Sequence, residues 1–261
     1  MDFDSMKAVI IGAGNVGTHM AKALNKRGVH ITQIVSKSMK SAVELASQME
    51  SSFTTDIADI SKTADIYFVC VSDSAVQQVV RQLNVGDKLV IHTCGSVGID
   101  VFYDNVENYG VVYPMQTFSK FKKVNYSEIP FFIEANNSEN ELILYNFLKK
   151  VSSHVSVVNS QQRAMIHLCA VFASNFTNHM CTISEMLLKD QKIKFEVFKP
   201  LLRETFDKII KYSPSVSQTG PAVRNDNQII EKHVESLENY PDIQKIYKEI
   251  SNSIIHMHKK N

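Results

Sequence analysis

The sequence predicts an α/β protein in which a doubly wound, mostly parallel sheet is followed by an all-α region. Two observations predict it. Short apolar runs alternate with helix-like segments through the first 158 residues, the pattern of a parallel sheet covered on both faces. From Asn159 onward no strand-like run recurs, and apolar residues repeat at three- and four-residue steps instead.

Taken in order, Lys7–Ile11 reads as a strand and residues 16–26 as a helix closed by Gly28. Strand-like runs follow at 30–35, 65–71, 88–93, 110–113, 131–134 and 155–158, with helices expected at 41–49, 74–83 and 139–151. Residues 115–130 have little periodicity and read as a loop over the sheet edge. Asn159 and Gln162 mark a helix start, with Gln162 at the third helical position. A long helix then runs to about Lys189, carrying an apolar stripe of Met165, Leu168, Phe172, Phe176, Met180, Ile183 and Leu187 that reads as a packed face. Further helices are expected at 195–212, 227–238 and 242–258. The boundary falls near Val158, giving a sheet domain over 1–158 and a helical domain over 159–261.

Composition narrows the function. The 261 residues include 28 basic and 27 acidic side chains, a net charge of +1, so no basic face for nucleic acid is implied. Four cysteines lie at no paired spacing. Cys70 and Cys169 fall in apolar runs, as reduced thiols packed in a cytoplasmic core would. The opening MDFDSMK lacks the apolar run of a secretory signal, and no segment approaches the ~20 apolar residues of a membrane span. No His/Cys/Asp cluster suggests a metal. The expectation is a cytoplasmic protein acting on a small molecule.

The stretch VIIGAGNVGTHMAKAL, residues 9–24, carries the first chemistry. Gly12, Gly14 and Gly17 follow a strand and open a helix, the context in which glycines hold a dinucleotide pyrophosphate. Gly12 allows the tight turn, Gly14 lets backbone approach the phosphates, and Gly17 lets strand and helix pack closely. With Asn15 and Val16 they form the expected cofactor turn. Proteins that read NAD place an acid at the end of the second strand. Here that strand ends QIVSKSMK, and the hydroxyls and ammonium of Ser36, Lys37 and Ser38 suit the 2′-phosphate of NADP. The plainer alternative is an ordinary polar turn. Val71 and Ser72 are expected beside the adenosine or ribose, and Asp73 reads as a helix cap. Thr93, Gly95 and Ser96 of IHTCGS are expected near the nicotinamide, with Gly95 permitting close approach.

The glycine turn together with VSDSAV, HTCGS, YPMQTFS, HLCAVFASNFTNHM and TGPAVRND resembles a family of Rossmann-like NADP-dependent oxidoreductases with a helical C-terminal domain of unassigned function. The resemblance covers nearly the whole chain. It implies a C-terminal domain like that of 6-phosphogluconate dehydrogenase, and kinship with pyrroline-5-carboxylate reductase, the deazaflavin-dependent NADP reductases and the beta-hydroxyacid dehydrogenases. Such relatives dimerise through their C-terminal helices, which implies a homodimer.

The long helix has a second face. Arg163, His167, Ser174 and Asn178 lie close to one line, flanked by Asn175 and His179. Between Ala164 and Ile183 the helix has no Lys, Arg, Asp or Glu, so this stripe lines a cavity, or else its polar groups are satisfied in the core or by a dimer partner. On the first reading His167 is the general acid or base. In beta-hydroxyacid dehydrogenases a lysine on the corresponding helix takes that role; its absence here leaves the substrate class open. Ser96 or Asn175 would orient the substrate oxygen. In SVSQTGPAVRNDN, Gly220 and Pro221 set a turn from which Arg224 could grip a substrate carboxylate, or simply pair with Asp226. Cys94 is set aside as a nucleophile because nothing nearby clearly lowers its pKa, and His256 and His258 read as a solvated tail.

The function expected is hydride transfer between NADP(H) and a small carbonyl, alcohol or imine substrate, one bearing a carboxylate. An imine reductase of the pyrroline-5-carboxylate type and an NADP-binding sensor without turnover are the alternatives.

Overall fold

The computed structural model describes residues 6–259. Residues 1–5 of the opening MDFDSMK, and residues 260 and 261 of the tail, lie outside the described residues. The chain forms two compact units, 1–175 and 176–261.

The first unit is built on an eight-stranded sheet of order β3-β2-β1-β4-β5-β6-β7-β8. Its elements run β1 Lys7–Ile11, α1 Asn15–Asn25, β2 His30–Val35, α2 Met39–Met49, β3 Ser52–Thr54, β4 Ile66–Val69, α3 Asp73–Gln82, β5 Leu89–His92, β6 Asn108–Pro114, β7 Phe131–Ala135, α4 Ser138–Lys149, β8 Val155–Val157 and α5 Ser160–Ala170. Strands β4 and β5 are buried along their whole length, as a parallel sheet covered on both faces requires. Met20 and Leu24 of α1, Leu45 of α2 and Leu144 of α4 cover one face. Val76, Val79 and Val80 of α3 cover the other with Phe102. Among the described residues only β6 and β7 pair antiparallel; the other pairings are parallel.

The predicted strands and the Asn159 helix start are present. Asn159 Oδ1 accepts the Gln162 N–H at 2.8 Å, and Gln162 Oε1 accepts the Asn159 N–H at 3.0 Å, a complete capping box. Strand β3 is an addition: three residues pair with Gln33, Ile34 and Val35 at the sheet edge, too few to show alternation. The loop expected over the sheet edge is also fastened to α1. There His19, 2% exposed, bonds the Tyr126 hydroxyl at 3.0 Å and the Ser119 carbonyl at 2.8 Å, and stacks on Phe118 at 4.6 Å.

The long helix is interrupted. After α5 the backbone widens into a π-helical stretch, Val171–Phe176, and the second unit opens with α6 Thr177–Asp190. It continues through α7 Lys199–Tyr212, α8 Pro214–Ser217, α9 Asn227–Ser236 and α10 Pro241–Lys259, with no strand among its described residues. The two units thus divide inside the helix, while the last strand ends at Val157. None of the described helices is long and apolar enough to cross a membrane. The predicted packing of the apolar stripe does not hold at its start: Met165, Leu168 and Phe172 are 58%, 48% and 61% exposed. Cys169 shares that exposed face and is not a core thiol, whereas Cys70 is buried and its thiol is pushed up to about 12 by burial.

One buried titratable group makes stability depend on pH. His92, at the end of β5, is fully buried, stacks on Phe102 and accepts the Cys94 N–H at Nδ1. Burial, and next the Arg163 charge, push its pKa down to about 3 from 6.5. The unfolded chain takes up a proton near pH 6.5 that the folded chain refuses, so stability falls as pH drops from 6.5 towards 3, by up to about 1.4 kcal/mol per pH unit. Denaturant midpoints measured across this range should fall less steeply in His92→Phe than in the wild type. Equal slopes would assign the acid sensitivity elsewhere.

Candidate functional site

The glycine turn sits where β1 meets α1. Gly12 has φ +105°, and a Cβ there would lie 2.3 Å from the Cys70 carbonyl, so a side chain is excluded by both conformation and space. A Cβ at Gly17 would lie 1.8 Å from the Gly12 carbonyl. Gly14 is different. It is the N-cap of α1 with φ −78°, and a Cβ there would meet nothing within 4 Å. Neither fold nor packing requires glycine at this point, so its bareness fits a group brought close from outside. The α1 N-terminus also has no side-chain cap and no acid in its first turn, whereas Ser38, Asn137 and Asn159 cap α2, α4 and α5. Amides left unbonded at a helix start favour an anion. The turn therefore fits a pyrophosphate.

Beside it, the end of β2 is held by Gly12 N–H donating to the Val35 carbonyl at 2.7 Å. Ser38 does two things: its Oγ accepts the Ser41 N–H, and its own N–H donates to Ser36 Oγ. These bonds are those of a polar turn leading into a capped helix, the plainer alternative for this stretch. Lys37 is exposed and forms no ion pair among the described residues.

A cavity of about 540 Å³ opens at the C-terminal ends of β4, β5 and β6, the edge where ligands bind such sheets. Val16, Val71, Thr93, His167 and Asn175, expected at the site, all line it. Tyr113, Thr117 and Asp73 line it too and were not expected as site residues. The Tyr113 hydroxyl is 3.2 Å from His167 Nδ1, with the rings edge to face at 5.8 Å. Burial, and next the Asp73 charge, raise the Tyr113 pKa, so its phenol stays protonated. Thr117 Oγ1 and Ser174 Oγ are 3.0 Å apart. The π-helical stretch turns Ala173, Ser174 and Asn175 all to the cavity, which an ordinary helix would not do with three successive residues.

Several expectations change. Gly95 lines the cavity and also makes room for a histidine: a Cβ there would lie 2.8 Å from the His167 ring. Ser96 is exposed, lies outside the cavity lining and donates its hydroxyl to the Asp73 carboxylate. Asp73 is accordingly the partner of Ser96 and not a cap; the N-cap of α3 is the exposed Ser72, whose side chain makes no capping bond. Arg163 leaves the polar stripe altogether. It is fully buried, bound to Glu134, to the Val97 carbonyl at 2.6 Å and to Ser160 Oγ at 3.1 Å. Cys94 is buried in the lining, and burial raises its thiol pKa, with Asp73 adding to the effect, so it is inert as a nucleophile. In the second unit Gly220 has φ +111°, and Asp226 caps α9 at the Ile229 N–H. Arg224 is exposed and forms no ion pair with Asp226.

Comparison with known proteins agrees with this geometry. Residues 7–95 match the family model described as NADP oxidoreductase, coenzyme F420-dependent, and residues 129–254 match a domain of unknown function, DUF2520. A Bacteroides fragilis protein assigned as an NADP oxidoreductase is 40% identical over 98% of this chain and 100% of its own, with a TM-score of 0.91. This chain belongs to the NADP oxidoreductase family. Within this oxidoreductase fold, two more distant structures are similar. The 1-pyrroline-5-carboxylate reductase of Streptococcus pyogenes is 11% identical over 97% and 99% of the two chains, with a TM-score of 0.64. The imine reductase of Myxococcus stipitatus, solved with NADP+, is 13% identical over 97% and 93%, with a TM-score of 0.62. No curated protein matches the sequence. The cavity takes Val16, Val71, Thr93 and Cys94 from the segment that matches the NADP oxidoreductase model, Tyr113 and Thr117 from the stretch between the two matches, and His167 and Asn175 from the segment that matches DUF2520.

Proposed function

We propose that this NADP oxidoreductase reduces, or in reverse oxidises, a small carbonyl, alcohol or imine substrate bearing a carboxylate. The observation that carries the reading is His167, bonded to Tyr113, facing one cavity with Val16 of the glycine turn. NADPH, when bound, supplies the hydride. Gly12, Gly14, Asn15, Val16 and Gly17 hold its pyrophosphate against the α1 amides. Ser36, Lys37 and Ser38 receive the 2′-phosphate, and Val71, Ser72 and Thr93 line the sheet edge beneath it.

His167 delivers the proton to the substrate oxygen or nitrogen as that atom gains charge, and withdraws it in the reverse direction. Tyr113 fixes the ring through Nδ1, which leaves Nε2 for the substrate. Asn175 orients the reacting heteroatom. Ser96 acts through Asp73, the lining residue whose carboxylate accepts its hydroxyl. Arg224 grips the carboxylate with its paired N–H groups. We place the enzyme in the cytoplasm, on its four unpaired cysteines. We further propose that it works as a homodimer, on the exposed Met165 and Leu168 of α5 and the exposed Leu201 and Ile210 of α7, apolar surface that a second copy would cover.

The test is a screen of small 2-oxo acids, hydroxy acids and cyclic imino acids, following nicotinamide oxidation or reduction. Turnover is expected with NADPH or NADP+ and slower with NADH or NAD+. His167→Ala should lower kcat about a hundredfold while NADPH affinity stays within twofold. Unchanged kcat would remove His167 as the acid. Tight NADPH binding with no turnover of any substrate would favour a sensor.

A further inference from the structure

The loop after β6 carries a lysine that no sequence motif singles out. His19 fastens this loop to α1 through Ser119 and Tyr126, and the residue after Ser119 is Lys120. Its backbone N–H donates to Asn15 Oδ1 at 3.3 Å, and Asn15 is the first residue of α1, inside the glycine turn. Its Nζ lies 3.5 Å from Ser41 Oγ, and Ser41 is bonded to the Ser38 cap at the start of α2. One half-buried lysine is thus tied by its backbone to the glycine turn and by its side chain to Ser41 in the first turn of α2, the helix that follows Ser36, Lys37 and Ser38.

The charge balance there is one-sided. Among the described residues Lys120 has no ion-pair partner, and its one side-chain partner is a neutral hydroxyl. The nearest acid on α2 along this groove, Glu44, is already paired with Lys40 at 4.0 Å. Neither α1 nor α2 has an acid in its first turn. The same groove, about 680 Å³, is lined by Lys22, Lys26, Lys120, Lys122 and Lys123 against Glu44 alone. A half-buried ammonium without a counter-charge favours a bound anion.

We propose that Lys120 is a ligand of the NADP(H) 2′-phosphate, so that preference for NADP over NAD is set jointly by the β2 end and by a strap from the far side of the sheet. This deepens the proposed function and rests on its NADP reading. His19 then acts as a positioning residue, holding the strap that presents Lys120.

Calorimetric titration with NADPH, NADH, 2′,5′-ADP and 5′-AMP tests it, using the wild type, Lys120→Met and Lys120→Arg. Loss of one charge-assisted bond should weaken NADPH and 2′,5′-ADP about tenfold or more in Lys120→Met. NADH and 5′-AMP should change less than twofold, and Lys120→Arg should keep most of the affinity. Unaltered NADPH binding in a folded Lys120→Met would overturn the proposal. So would equal weakening of NADPH and NADH, which would assign the lysine to the pyrophosphate. If the wild type itself binds 2′,5′-ADP no better than 5′-AMP, the NADP reading fails first, and the Lys120 assignment falls with it.

Discussion

Replacing Glu134 with alanine should cost about 3–5 kcal/mol of stability, the usual result of stranding a buried charge. Glu134 stands near the end of β7, and its two oxygens are both engaged. Oε1 accepts the Ser160 N–H at 3.0 Å; Oε2 accepts the Ser160 hydroxyl at 2.7 Å and the Arg163 guanidinium. Arg163 is fully buried, and its other anchors, Val97 and Ser160, are neutral. Without Glu134 the guanidinium keeps its full desolvation cost and loses its only anion. For a domain of this size the melting temperature should fall by roughly 10 °C. The double variant Glu134→Leu with Arg163→Met should recover much of that loss, because replacing a buried pair by apolar residues is often neutral. Denaturant and thermal unfolding of the wild type and the two variants measure it. A loss below about 1 kcal/mol in Glu134→Ala would show that Arg163 reaches water or another acid. The same clamp bears on function, since α5 carries His167 one turn beyond Arg163.

Gly14→Val should leave the fold intact and remove dinucleotide binding, an effect of about a hundredfold or more in NADPH affinity if the pyrophosphate is displaced. Its backbone, φ −78°, suits any residue, and a Cβ there meets no protein atom within 4 Å. The melting temperature should therefore stay near that of the wild type. Gly12→Val would be a poor substitute for this experiment, because φ +105° and the Cys70 carbonyl at 2.3 Å make it a folding variant first.

Much of the architecture can be read from local pattern, because the signals are local. Apolar strand runs, the strand-turn-helix context of three glycines and the Asn159–Gln162 cap each need a few neighbouring residues. Strand β3 escapes because three residues of a polar edge carry no period. The cavity is less legible because its defining contacts span the chain. Tyr113 meets His167 across 54 positions and Asp73 meets Ser96 across 23, and neither spacing leaves a trace in sequence. The helix-face projection assigned Arg163 to a polar stripe because composition cannot tell a charge turned inward on Glu134 from one turned to a cavity. It also assumed a uniform helical pitch, which the π-helical stretch breaks just where Ser174 and Asn175 reach the lining. Lys120 was invisible for another reason. It lies in a loop without periodicity, and only the His19 anchor fixes where that loop goes.

The central claim is that dinucleotide phosphates rest on the bare amides between β1 and α1. Side-by-side calorimetric titration of the wild type and Gly14→Val with NADPH, on samples with matched melting temperatures, tests it most directly. The account predicts saturable binding by the wild type and its near-complete loss in the variant. Equal binding by both proteins, or no heat from either, would contradict it.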